Sequence, residues 1–250
     1  MLNGAGLPEA ITFGPAPASG YRYRTKMGMV GSQEYVYRYT DFEGAVTTNV
    51  PTGWTAAIID TSATTVLSTT AGSLGATGVL IFSGANASEG AAFYGEKGIQ
   101  LTAGKRFFME VRVQTSLAAN TDLQFGLSSL TATTNPEDLW TTTSDNVVAF
   151  GVLAGSASLK MLADKSNSGS TVETATSAVM VDSTWHVLGI HYDGNTLSGY
   201  VDGQKALDWS QAIATTVPTG VALAPFVGFR TGNSSSNKGY CDYFRAVTQR

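Results

Sequence analysis

Between residues 107 and 113 the chain alternates Phe107, Met109, Val111 and Val113 with Phe108, Glu110 and Arg112. A period of two sends the first set to one side of a strand and the second to the other, which predicts a strand with one wet face. Short apolar runs of the same kind recur at 79–82, 123–127, 147–152, 159–162, 185–192, 197–201, 223–230 and 240–247. Two of the joints between them, Asp193-Gly194-Asn195 and Asp202-Gly203, carry the residues that supply the positive φ angles of tight hairpin turns. No window sustains a helical period, and Pro136-Glu137-Asp138-Leu139 reads as a single turn. Many short antiparallel strands, with no helices to cover a parallel sheet, imply an all-β fold: an antiparallel β-sandwich or jelly roll. No repeat recurs every 20 to 50 residues, which argues against a propeller or solenoid.

The pattern changes near residue 45. Residues 1–45 hold Pro8, Pro15 and Pro17 and two aromatic-basic patches, Tyr21-Arg22-Tyr23-Arg24 followed by Lys26, and Tyr35-Val36-Tyr37-Arg38-Tyr39. Strand spacing places the tyrosines of each patch on one face. The segment is too thin to fold alone, so it is read as an extended N-terminal arm that either packs on the 46–250 sandwich domain or reaches a neighbouring subunit. Tyr and Arg are the residues enriched in interface hot spots. Tyr21, Arg22, Tyr23, Arg24, Lys26, Tyr35, Tyr37, Arg38 and Tyr39 are therefore the candidate partner-binding residues.

Composition narrows the classes. Charged residues are 14% of the chain against about a quarter in ordinary domains, and glycine is 28 of 250 residues, which suits a turn-rich sandwich. A formal net charge of −4 with no Lys/Arg run removes the footprint of a nucleic-acid binder. The longest apolar stretches, such as Gly78 to Phe82, fall far short of the roughly 20 residues a helix needs to cross a bilayer. No apolar run precedes the first basic residue, Arg22, which reads as the absence of a secretory signal. The single Cys241 permits neither an internal disulfide nor a thiolate cluster and reads as a small buried side chain.

No catalytic, metal or cofactor constellation emerges from the residues. Glycoside hydrolysis needs two carboxylates on one groove, yet Glu110 has no second acid on its strand and is read as a surface ion pair with Arg112. His186 and His191 are five apart on one strand and so lie on opposite faces, unable to share a metal. Asp182, Asp193, Asp202 and Asp242 could supply calcium ligands, but two of them precede glycine in turns that want aspartate for backbone reasons. Gly90 to Lys97 misses the phosphate loop because Glu96 stands where that loop has lysine. Trp54, Trp140, Trp185 and Trp209 could stack on sugars, although tryptophan in a sandwich more often belongs to the core.

Residues 185–194, Trp-His-Val-Leu-Gly-Ile-His-Tyr-Asp-Gly, followed by 197–203, Leu-Ser-Gly-Tyr-Val-Asp-Gly, resemble the concanavalin A-like, laminin G-like jelly rolls. The closing Cys241 to Arg250, the strand at Phe108 to Val113 and the opening Val50-Pro51-Thr52-Gly53-Trp54 resemble structural proteins of tailed bacteriophages. The likeness spans about residues 42–250 and leaves the arm outside. It implies a non-enzymatic virion protein without cofactors, a decoration or cement protein on the outer surface of a phage head, made in the host cytoplasm. The partners implied are the major capsid protein and other copies of the chain, as a homotrimer, with neither nucleic acid nor membrane. The alternative is a carbohydrate-binding module on a phage tail or another surface. A polysaccharide-cleaving enzyme of the same fold ranks third, for want of a carboxylate pair on one strand.

Overall fold

A computed structural model of the protein describes residues 35–40, 53–59, 79–83, 89–129, 146–166, 171–232 and 237–249. Its strands are β1 (Tyr35–Thr40), β2 (Trp54–Ile59), β3 (Leu80–Ser83), β4 (Gly90–Gly95), β5 (Ile99–Gln100), β6 (Phe107–Thr115), β7 (Thr121–Ser128), β8 (Val147–Leu153), β9 (Ser156–Asp164), β10 (Thr171–Val179), β11 (His186–Tyr192), β12 (Leu197–Val201), β13 (Gln204–Asp208), β14 (Ala222–Thr231) and β15 (Lys238–Gln249). Helix among the described residues is limited to one 3-10 turn at Ala118–Asn120 and one α turn at Ile213–Thr216.

The strands make two antiparallel sheets. The seven-stranded sheet runs β1-β15-β6-β11-β12-β13, with β3 also on β15; the eight-stranded sheet runs β10-β9-β8-β7-β14-β4-β2, with β5 also on β14. Val111, Leu188, Ile190 and Phe244 from the first meet Leu123, Phe125, Phe150, Val227 and Phe229 from the second in one buried core. The sandwich expected from the alternation is thus the architecture, and the runs expected to be strands appear as β3, β6, β7, β8, β9, β11, β12, β14 and β15.

Four longer strands escaped the alternation. β4, Gly-Ala-Ala-Phe-Tyr-Gly, stood out only as a defective phosphate loop, because glycine and alanine have low strand propensity. It is a strand buried on both faces: Ala91 and Phe93 join the main core, while Ala92 and Tyr94 join a second apolar cluster on the outer side of the eight-stranded sheet. β10 and β13 are edge strands whose polar content hides them, while the edge strand β2, Trp-Thr-Ala-Ala-Ile-Ile, lacks the polar phase of an alternation.

β1 lies inside the segment read as an arm. It pairs with β15 from Tyr35 opposite Gln249 to Thr40 opposite Phe244. The main chain at Tyr35, Tyr37, Arg38 and Tyr39 therefore completes a sheet edge of its own chain, the folded-back course among the two the sequence left open. Tyr21, Arg22, Tyr23, Arg24 and Lys26 lie outside the described residues, as do Trp140 and the turn at 136–139.

Packing between the sheets depends on small residues facing large ones. A Cβ on Gly199 of β12 would sit 2.9 Å from the Phe150 ring of the opposite sheet, and one on Gly239 of β15 would overlap the Phe229 ring. Phe229 in turn stacks on Phe82 at 5.9 Å between ring centroids. Gly239→Ala should therefore cost about 1–3 kcal/mol by overpacking. Shrinking the ring in the same chain, Phe229→Leu, should return part of that loss in urea denaturation, whereas strictly additive losses would contradict the contact.

Candidate functional site

β6 lies between β15 and β11, and its outward side chains meet those of both neighbours. The register with β15 shifts once: Val113 faces Cys241 and Arg112 faces Tyr243, so Asp242 is an extra residue, a β-bulge. Cys241 and Phe244 are both in the core. Three residues apart, they cannot both point inward along a regular strand, and the bulge lets them do so. Its consequence on the other face is that Asp242 and Tyr243, consecutive in sequence, both project outward.

Each meets a different residue of β6. The Tyr243 hydroxyl donates to Glu110 Oε1 at 2.7 Å, and Arg245 Nε pairs with the same oxygen at 2.7 Å. Asp242 pairs with the Arg112 guanidinium. The guanidinium carbon of Arg112 stands 4.6 Å from the centroid of the Trp185 ring, which Tyr240 flanks at 6.3 Å and an interplanar angle of 59°. The expected Glu110–Arg112 surface pair is corrected: both lie on one face, but each is paired across to β15, and Glu110 is only 4% exposed. Adjacent strands bring opposite charges closer than the next-but-one position on the same strand does.

Burial, the Glu110 charge and its hydrogen bond together push the Tyr243 phenol well above its ordinary range, against weaker opposition from Arg245 and Arg112. Burial, reinforced by the Asp242 charge, raises the Cys241 thiol, and burial raises Tyr240. Cys241 is the small buried side chain its strand position suggested.

The other candidates are held by local structure. His186 and His191 do face opposite sides of β11. His186 Nδ1 lies 2.8 Å from Asp202 Oδ2, and its Nε2 accepts the Val181 N–H at 3.2 Å, so the ring is a clamp between a turn and a hairpin. His191 is lowered by burial and stands edge-on to Tyr200. Asp202 has φ of 49° at its hairpin turn and also accepts the Val187 N–H. Asp193 accepts the Asn195 and Thr196 N–H groups in the neighbouring turn, and Asp182 accepts the Ala118 N–H. Among the described residues no group of three His, Cys, Asp or Glu converges as for a metal.

No strand among the described residues carries two carboxylates. Asp122 on β7 faces outward from the eight-stranded sheet but is bound to Arg230 and to the Ala154 N–H. That outer face is also buried, with Ala149, Leu162 and Phe226 at 0% exposure. Trp54 packs edge-on against Phe244, and Trp209 is buried with its indole N–H on Thr216. Among the described residues Trp54 and Trp185 are both half-buried, but Trp54 packs against the core cluster and Trp185 lies outside it. The cluster of Trp185, Arg112, Tyr240 and Asp242 was not foreseen. Its one signal in the sequence was the Asp242-Tyr243 polar doublet between Cys241 and Phe244, where alternation breaks.

No family model matches the chain, and no curated protein matches it in sequence. Solved structures do match in fold. A β-glucanase of Mycobacterium abscessus covers 84% of this chain and 98% of its own at a TM-score of 0.55 and 13% identity. The carbohydrate recognition domain of Emp47p covers 86% and 97% at 0.55 and 10%. The Crh5 transglycosylase covers 84% and 83% at 0.51 and 14%. The protein is accordingly a concanavalin A-like jelly-roll β-sandwich. These neighbours correct the expectation that the chain is not an enzyme, because a glucanase and a transglycosylase stand on the same sandwich. A fold shared with them gives no ground for excluding catalysis. None of the three is a virion protein, so the phage, capsid and trimer expectations gain no support from them.

The fold holds Tyr243 neutral, so its stabilising contribution is complete below a pH of about 10 and is lost as pH rises further. Tyr243→Phe should cost about 1.5–3 kcal/mol at neutral pH by removing a hydrogen bond to a buried carboxylate. The same variant should lose less additional stability than the parent between pH 9 and about 11 in urea titrations. An identical alkaline loss in both proteins would contradict the linkage. Glu110→Ala should cost about 3 kcal/mol, the low end for a broken buried pair, since Arg245 keeps a 20% exposed side chain. A thermal-melt or urea loss under about 1 kcal/mol would mean that Arg245 is adequately solvated without Glu110.

Proposed function

We propose that the protein is a carbohydrate-binding jelly roll. One observation carries the reading: the proteins that share its sandwich over 84–86% of its length include one named for glycan recognition and others named for glycan cleavage or transfer. Carbohydrate is the ligand class common to them. The low charge of this chain and the half-buried Trp185 cluster suit a neutral, hydroxyl-rich ligand better than a nucleic acid. Cleavage of the bound glycan is the second reading, favoured by the neighbours named as hydrolases and transglycosylases. In that case the two carboxylates come from different strands or from residues outside those described.

Decoration of a phage head rests on the motifs at 50–54, 108–113 and 241–250 alone, and glycan binding takes precedence over it. The test is a glycan array probed with the full chain, with new reducing ends assayed on every glycan that is bound. Saturable binding, competed by the free oligosaccharide, is expected for at least one class. Absence of binding across neutral and acidic glycans would overturn the proposal. Newly formed reducing ends would establish the second reading.

A further inference from the structure

We infer that Trp185, Tyr240, Arg112 and Asp242 form a recognition platform for an uncharged sugar ring on the outer face of the seven-stranded sheet. The inference rests on the carbohydrate reading above and assigns it a place. An indole offers a wide apolar surface to the C–H face of a pyranose at little conformational cost, and its partners must then serve the hydroxyls at the ring's edge. All of these parts are present. Trp185 is half-buried, and Tyr240 beside it is half-buried as well. Arg112 is a planar fork of five N–H donors, of which one nitrogen is engaged by Asp242. Asp242 adds acceptor oxygens next to those donors. Their side chains remain 36% and 22% exposed, so both can exchange water for hydroxyl groups.

The platform is rigid. The turn before Trp185 is closed by the Thr184 N–H on the Val181 carbonyl. The residue after it, His186, is clamped by Asp202 and the Val181 N–H. Arg112 on β6 stands over one face of the indole and Tyr240 on β15 flanks it, so the opposite indole face is the one that would take the sugar. A ring pinned in this way loses little further freedom when a ligand stacks on it.

The Cys241–Val113 register already turns Asp242 to the outer face beside Arg112, and the bulge that follows adds Tyr243 to the same face. The pairing also sets the specificity. Arg112 and Asp242 cancel in charge while keeping donors and acceptors, which favours a neutral sugar with adjacent hydroxyls over a sulfated or carboxylated one.

The experiment titrates neutral hexasaccharides of glucose, mannose and galactose, with a sulfated hexasaccharide for comparison, into the full chain by calorimetry. The parent, Trp185→Ala, Trp185→Tyr and Asp242→Asn are compared, each verified by its thermal melt. A neutral hexasaccharide should bind best. Trp185→Ala should weaken it about tenfold or more, the loss typical of an anchoring aromatic, while Trp185→Tyr stays within about threefold. Asp242→Asn, which leaves Arg112 unbalanced, should narrow the preference for neutral over sulfated sugar. Parent-like affinity in folded Trp185→Ala would overturn the platform and leave carbohydrate binding standing elsewhere. A parent that prefers the sulfated sugar would overturn the neutral specificity. A parent that binds none of the four would overturn the platform and the carbohydrate reading together.

Discussion

The register of β15 is the constraint on which both faces of the seven-stranded sheet depend. Cys241 and Phe244 must both enter the core, although three residues separate them and a regular strand would turn one of them outward. The extra residue at Asp242 absorbs the mismatch. Had β15 run through Asp242 as a regular strand, every side chain beyond Asp242 would change faces, sending Tyr243 and Arg245 into the core and expelling Phe244 and Ala246. The bulge falls where the disruption costs least. On that edge of β15, β3 stops pairing at Cys241 and β1 begins at Phe244, so Asp242 and Tyr243 lie between two partners.

From this register follows the distribution of charge. The outward pair Asp242 and Tyr243 meets the outward pair Arg112 and Glu110 of β6, and Arg245 completes the set. Glu110 is almost wholly withdrawn from water, and a carboxylate there is tolerable because a guanidinium and a phenol hydroxyl both satisfy it. Arg112 stays nearer to solvent and is free to lie against Trp185. One side of the face is thus a closed network that holds the sheet together, and the other is an open cluster of aromatic and polar groups. A single bulge separates these two roles on adjacent residues.

The sandwich could be read directly from the sequence because strand alternation and Asp-Gly turns are local signals. Phe107 to Val113 alternates cleanly, and Asp193 and Asp202 sit at the turns their glycines demanded. β4 was hidden because a strand covered on both sides has no polar phase, and its Gly-Ala-Ala start lacks β-branched residues. The site was harder still. Glu110 and Arg112 share a strand face, and their neighbours in sequence gave no indication that residues about 130 positions away would take them as partners. The pairing of Trp185 with Arg112 needs the β6–β11 register, which no single segment encodes. The arm was ambiguous for a related reason: the Tyr35 to Tyr39 alternation is equally suited to an edge of its own sheet or of another chain.

Carbohydrate recognition at the bulge is best tested by the indole N–H resonances of the chain's four tryptophans during titration with a neutral oligosaccharide. Trp185 touches the proposed ligand, whereas the Trp209 N–H is bonded to Thr216 away from that face. The account predicts that the Trp185 resonance moves in step with saturation while that of Trp209 stays in place. A saturated protein whose Trp185 resonance has not moved would contradict it.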